Sequence, residues 1–230
     1  MSKKEKISGY CGRHKGEDFL IVGAGSSIQD NRDSIDNFIA KRKPVIIGIN
    51  NMTGFCLPTY HVWTNTKRLQ EFGDNIFKES KLILSKKFPE KLKKKFARNG
   101  YVELDYVDEE GVPVDYREGR IFGTYRTAGC LSIMIAHLFG AKNIYIVGMD
   151  GYTLHGKKAV LSGEKSQHLY GKGFTDKAKG KLFDPEQSWE ICLQKDVVVY
   201  KALRGLYRYG INFSIITPTK FKKFYNATIL

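Results

Sequence analysis

Acidic residues are in short supply in this chain: 24 Asp and Glu stand against 38 Lys and Arg, leaving a formal charge of +14 over 230 residues. A balance this basic says nothing about fold, but it draws the protein toward polyanions, anionic membrane surfaces and phosphorylated substrates. Cysteine is scarce too. Cys11, Cys56, Cys130 and Cys192 lie far apart without a C-x-x-C pair, and Cys130 sits inside an apolar run, where a reduced, packed thiol is the natural state. A reducing compartment is expected. His14, His61, His137 and His155 show no H-x-x-H or Cys/His ligand spacing, and no Asp-x-Asp pair occurs, so neither a metal nor any other cofactor is expected. No apolar run approaches the ~18 residues of a membrane span, and the start, Met1-Ser2-Lys3-Lys4-Glu5-Lys6, is polar. Neither a signal peptide nor a spanning helix is therefore expected, and a cytoplasmic location follows, compatible with peripheral contact at the inner membrane. There is no Gly-Lys-Ser/Thr, Ile28 stands at the third glycine of a dinucleotide fingerprint, and no internal repeat or low-complexity segment is present, so neither a P-loop nor a Rossmann fingerprint is met.

What is present suffices for a core: 42% of residues are hydrophobic and 13% aromatic, consistent with a single domain over 1–230. Asp18-Phe19-Leu20-Ile21-Val22 is a short apolar run that stops at Gly23-Ala24-Gly25-Ser26-Ser27, the pattern of a buried strand and tight turn. A helix capped by Ser27 or Asp30 follows, with Ile28, Ile35, Phe38 and Ile39 as a rough apolar stripe ended by Pro44. Further strands are expected at Val45–Asn50, His61–Asn65, Leu82–Ser85, Ile144–Val147 and Asn212–Ile216, with helices from Lys67, over Thr127–Leu138 and over about Pro185–Tyr209. Strands alternating with helix-length segments predict an α/β, Rossmann-like, doubly wound and mostly parallel sheet. Residues 89–120, basic then acidic and broken by Gly100, Gly111 and Pro113, read as a surface excursion. The Gly-rich span 151–185 is too long for a bare connection and reads as a lid.

In open α/β sheets ligands bind beyond the carboxyl ends of strands, which directs attention to the residues there. Gly23, Gly25 and Ser26 follow the first strand; they can let backbone N–H groups approach a phosphate, or simply make a turn. Asn50, Asn51 and Asn65 follow the next two strands and offer uncharged donors and acceptors to a sugar or base, unless they serve as turn formers. Arg126, opening the apolar helix with Thr127 and Gly129, can meet an anion or lie in solvent. Asp150 can orient a hydroxyl or close an Asx turn. His168, in the polar loop Ser166-Gln167-His168-Leu169-Tyr170-Gly171, can take a proton as general base.

Taken in order, the Gly-x-Gly-x-Ser turn, the Asn after each of two strands, Arg126-Thr127-Ala128-Gly129, Ile144-Tyr145-Ile146-Val147-Gly148-Met149-Asp150-Gly151-Tyr152 and His168-Leu169-Tyr170-Gly171 with Thr175-Asp176 resemble bacterial sialyltransferases that cap lipooligosaccharides. The resemblance spans about residues 19–217 and extends to flagellin-modifying glycosyltransferases and archaeal hydroxymethylpterin pyrophosphokinases that share the nucleotide-binding core. It implies that His168 is the general base, that Asn50 and Asn65 contact donor cytidine monophosphate and sugar, that Arg126 stands beside the donor and that Tyr152 helps the leaving phosphate depart. Ala24 stands where those enzymes carry Asn, and Ser26 where they carry Pro. Their second phosphate-assisting tyrosine falls at Lys158, for which Tyr170 or Lys158 itself can substitute.

The expected activity is metal-independent, inverting transfer of an acidic sugar from a CMP-activated donor to a glycan or lipid-linked glycan. Catalysis would rest on His168, Tyr152 and Arg126, and donor binding on Gly23, Gly25, Ser26, Asn50, Asn65, Thr127, Gly129, Asp150 and Tyr170. The segment Lys220-Phe221-Lys222-Lys223-Phe224-Tyr225 suits an anionic lipid interface, or trails in solvent, and a homo-oligomer is compatible with the sequence. An ATP- and magnesium-dependent pyrophosphokinase on the same core and a basic nucleic-acid-binding module are the rivals. The lack of clustered carboxylates counts against the first and the lack of an RNA-binding aromatic motif or zinc finger against the second.

Overall fold

The computed structural model describes residues 3–52, 54–109, 111–112, 114–158 and 185–230. Its centre is an eight-stranded sheet built from β1 (Lys4–Lys6), β2 (Asp18–Val22), β3 (Val45–Ile49), β4 (Tyr60–Trp63), β5 (Lys81–Ser85), β6 (Tyr101–Leu104), β10 (Asn143–Val147) and β11 (Phe213–Ile215). The order is β1-β6-β5-β4-β3-β2-β10-β11, and every neighbouring pair is parallel. The fold is therefore α/β and Rossmann-like, with a sheet that is entirely parallel. From β2 the chain lays down β3 through β6 on one side, then returns to place β10 and β11 on the other. The switch point lies between β2 and β10, the place where such sheets open a crevice beyond their carboxyl ends.

Strands of a covered parallel sheet are buried on both faces, which is why β2, β3, β5 and β10 read as apolar runs. Alternate side chains point to opposite sides. Phe19, Ile21, Ile47, Val62, Ile144 and Ile146 meet α5 (Ala128–Leu138) and α6 (Pro185–Arg208) on one face. Leu20, Val22, Ile46 and Val147 pack with Ile28 of α1 (Ser27–Asp30) and with Ile35 and Phe38 of α2 (Arg32–Arg42) on the other. Farther along that second face, Trp63, Leu82 and Leu84 pack against Leu69 of α3 (Thr66–Phe72), beside α4 (Glu90–Phe96). Residues Cys130–Ala136 of α5 are all buried, because the helix has the sheet on one side and α6 on another. All four cysteines are free thiols, and burial pushes Cys130 up to about 11.

Three sequence expectations need correction. Residues 89–120 are not wholly an excursion: Tyr101–Leu104 forms β6, hydrogen-bonded between β5 and β1. Its Glu103 is tolerated there because Lys4 and Lys93 lie 3.4 and 3.7 Å away. What remains is a small sheet of β7 (Tyr106–Asp108), β9 (Arg120–Gly123) and β8 (Asp115–Arg117). Neither Ser27 nor Asp30 caps α2, which begins after Asn31 with no side-chain cap. The C-terminal segment is docked: Phe221 and Phe224 are buried, and Asn226 N donates to Ile215 O at 2.9 Å. Among the described residues no helix is long and apolar enough to cross a membrane.

Candidate active site at the switch point

The turn after β2 and the turn after β10 are sewn together by main-chain hydrogen bonds. Gly23 N donates to Val147 O at 2.9 Å and Gly25 N to Gly148 O at 2.9 Å. These glycines are required by proximity: a Cβ on Gly23 would lie 2.5 Å from Gly148 O, and one on Gly25 2.4 Å from Asp150 Oδ1. Their N–H groups are directed at the neighbouring turn, so the expectation that Gly23 and Gly25 cradle a phosphate through these amides is not what the geometry uses them for.

Asp150 is 4% exposed. Its Oδ2 accepts from Ser27 N at 2.8 Å and its Oδ1 from Ser27 Oγ at 2.5 Å. Burial raises its carboxyl above the usual range, against the lowering effect of the Ser27 hydrogen bonds. The Ser27 hydroxyl lies 3.1 Å from Thr217 Oγ1, which also accepts from Gly148 N at 3.0 Å. Asp150 thus locks three loops together, and as placed its carboxylate faces Ser27 and not an open site. Ser26, by contrast, is partly exposed, and its Oγ stands 3.0 Å from His155 Nε2.

The start of α5 lies at the same end of the sheet, for a Cβ on Gly129 would meet Met149 Cε at 2.6 Å. Thr127 Oγ1 accepts from Cys130 N at 3.2 Å and caps the helix. Arg126, exposed, has φ of 50°, a left-handed conformation unusual for a residue with a Cβ. Asp108 imposes it: its Oδ1 accepts from Tyr125 N at 2.9 Å and from Arg126 N at 3.1 Å. Arg126 is thus set at the mouth by an acid on β7.

Asn50, at the carboxyl end of β3, also has a left-handed φ, 48°. Its backbone is tied on both sides, N to Val62 O at 2.9 Å and O to His61 Nε2 at 2.6 Å. Its side-chain Oδ1 is enclosed and has no hydrogen-bond partner among the described residues. Asn65 is otherwise engaged. It is exposed, and its Oδ1 accepts from Arg68 N at 3.0 Å to cap α3. Tyr152 is held from α6: Tyr152 N donates to Asp196 Oδ1 at 2.7 Å, and Lys195 Nζ lies 4.9 Å from the Tyr152 ring centroid. Burial lowers the Lys195 ammonium.

The structure therefore brings together the turn bearing Gly23, Gly25 and Ser26, the start of α5 bearing Thr127 and Gly129, and Asp150. Asn50, Arg126 and Tyr152 lie at the same end of the sheet. His168 and Tyr170, and most of the expected lid, lie outside the described residues. Among the described residues no group of three or more His, Cys, Asp or Glu side chains is placed to hold a metal ion. Sequence reasoning missed Asp196, Lys195 and His155. Asp196 left a signal, as an acid in line with Cys192, Val199, Leu203 and Leu206, which are all buried on α6; Lys195 and His155 left none, since only the fold brings them to the site. Comparison with family models and with curated proteins finds no match to this chain.

Proposed function

We propose that this protein is a nucleotide-sugar-dependent glycosyltransferase of the sialyltransferase-like kind, transferring an acidic sugar from a CMP-activated donor to a glycan acceptor. The observation that carries the reading is Asn50. A buried acceptor left without a donor costs about 1–3 kcal/mol, yet Asn50 Oδ1 is enclosed and unpartnered beside the switch point of a parallel sheet. A ligand that supplies an N–H or O–H there meets that need, and nucleotides present both.

On this reading the positive end of the α5 dipole and Arg126 attract the donor phosphate, and Tyr152, fixed by Asp196, lies on the phosphate side. The acceptor oxygen attacks the anomeric carbon from the face opposite the nucleotide, forming the new glycosidic bond with inversion. The bond from that carbon to the phosphate oxygen breaks and the nucleotide leaves with its electron pair. His168 takes the acceptor proton. The basic surface suits a lipid-linked anionic acceptor at a membrane.

Thermal unfolding with CMP, CDP, UDP, GDP and ATP, each with EDTA and with magnesium, tests the reading, since a ligand that binds only the folded state raises its stability. Selective stabilisation by CMP in EDTA, reduced in Asn50→Ala, is the expected result. Stabilisation by ATP with magnesium alone would overturn it in favour of a pyrophosphokinase.

A further inference from the structure

Ser26 and His155 lie 129 positions apart in sequence, yet Ser26 Oγ and His155 Nε2 are 3.0 Å apart. One residue comes from the turn after β2 and the other from the turn region after β10, so the pair closes over the switch point itself. We propose that His155, held by Ser26, is a phosphate-recognition site at the mouth of the crevice, its ring donating to a phosphate oxygen of the bound nucleotide. The inference rests on the nucleotide-binding reading above.

The ring nitrogens are not equivalent. With Nε2 engaged by the Ser26 hydroxyl, Nδ1 is, among the described residues, the nitrogen left to a ligand. When Nε2 accepts the Ser26 hydroxyl proton, the ring proton sits on Nδ1, which then donates outward. Asp150 lies behind the pair, and charge attraction between it and His155 is among the influences on that carboxyl. Both Asp150 oxygens are turned to Ser27, so this carboxylate lies on the buried side of the pair. Lys157 and Lys158 stand two and three positions after His155, and the capped start of α5, an 11-residue helix, contributes a positive dipole end at the same edge of the sheet. An N–H donor near two lysines and a helix start suits a phosphate oxygen better than a neutral sugar hydroxyl.

The test is nuclear magnetic resonance of protein labelled with 15N at its five histidines, His155 being assigned by its disappearance in His155→Asn. CMP and inorganic pyrophosphate are expected to move the His155 ring nitrogens, and cytidine is expected to leave them in place. His155→Asn and Ser26→Ala, both at partly exposed positions, should unfold near the wild-type temperature without ligand. His155→Asn should bind CMP about tenfold more weakly, the equivalent of one charge-assisted hydrogen bond, while its affinity for cytidine stays unchanged. If CMP stabilises the protein while the His155 resonances stay still, the phosphate is held elsewhere; this inference falls and the nucleotide reading stands. If no nucleotide binds but pyrophosphate moves His155, the site stands and the nucleotide reading falls. If neither nucleotide nor pyrophosphate has an effect, both fall. Should His155→Asn fail to fold, His155→Gln supplies the assignment and the wild-type shifts alone decide.

Discussion

The Asp150 carboxylate accepts from both the backbone N–H and the hydroxyl of Ser27, at 2.8 and 2.5 Å, across 123 positions of sequence. A single acid thereby fixes the first turn of α1 to the end of β10. Asp150→Ala would leave the buried Ser27 amide unmet and the Ser27 hydroxyl only Thr217 Oγ1 at 3.1 Å, and is expected to cost about 1–3 kcal/mol, read as a lower midpoint in denaturant. Asp150→Asn keeps one acceptor and should lose less. Equal stability of all three proteins would show that the two turns do not depend on this contact.

Glycine to alanine is expected to change sign between two positions. At Gly25 the new Cβ would meet Asp150 Oδ1 at 2.4 Å and Gly148 O at 2.6 Å, and neither can withdraw without breaking the lock. A loss of about 1–3 kcal/mol follows. At Gly205, inside α6, nothing lies within 4 Å, so Gly205→Ala should gain about 0.5–1 kcal/mol from helix propensity alone. Chemical denaturation of the two variants beside the wild type checks both signs.

How much of this was legible follows from what each element rests on. β2, β3, β5 and β10 were readable because strands covered on both faces carry unbroken apolar runs. β1 is the polar tripeptide Lys4-Glu5-Lys6 at the sheet edge. It is held by contacts such as Lys81 Nζ to Glu5 Oε1 at 2.5 Å, which no local pattern announces. β6 was hidden by Glu103, whose lysine partners come from β1 and α4. The glycine turn was located correctly, but its use was not: whether an amide faces a ligand or a neighbouring carbonyl depends on the register of β10 against β2. His155 became visible only once the two turns met.

His61 gives the protein an acid-sensitive interior. It is 2% exposed on β4, and desolvation pushes its pKa down to about 4 despite the hydrogen bond to Asn50 O. The unfolded chain binds this proton near pH 6.5, so between about 6.5 and 4 the unfolded state holds more protons than the folded one. Stability from this group is thus complete above pH 6.5 and falls as the pH drops, by up to about 1.4 kcal/mol per unit and about 3 kcal/mol in all. His61→Phe removes the titration, so the wild-type advantage over the variant should shrink steadily from pH 7 to pH 4. Parallel stability curves over that range would show that His61 titrates alike in both states.

Among the described side chains of α6, Asp196 is the one buried acid, 7% exposed, and it gathers the turn that carries Tyr152. Tyr152 N donates to Oδ1 at 2.7 Å, while Thr153 N and Thr153 Oγ1 donate to Oδ2 at 3.0 and 2.6 Å. Three donors converging on one carboxylate make it a positioning residue for Tyr152 and not a group that meets substrate. Asp196→Ala should destabilise by about 2–4 kcal/mol and speed hydrogen exchange at the Tyr152 and Thr153 amides more than at amides of β2 or β10. Asp196→Asn, which keeps one accepting oxygen, should recover part of that protection. In the proposed transferase Asp196→Asn should lower kcat more than it raises KM, since the displaced Tyr152 acts on the departing phosphate and not on donor affinity. Tyr152→Phe should then add little to the loss in Asp196→Asn, because both changes remove the same assistance; losses that simply multiply would show that Asp196 works through something other than Tyr152.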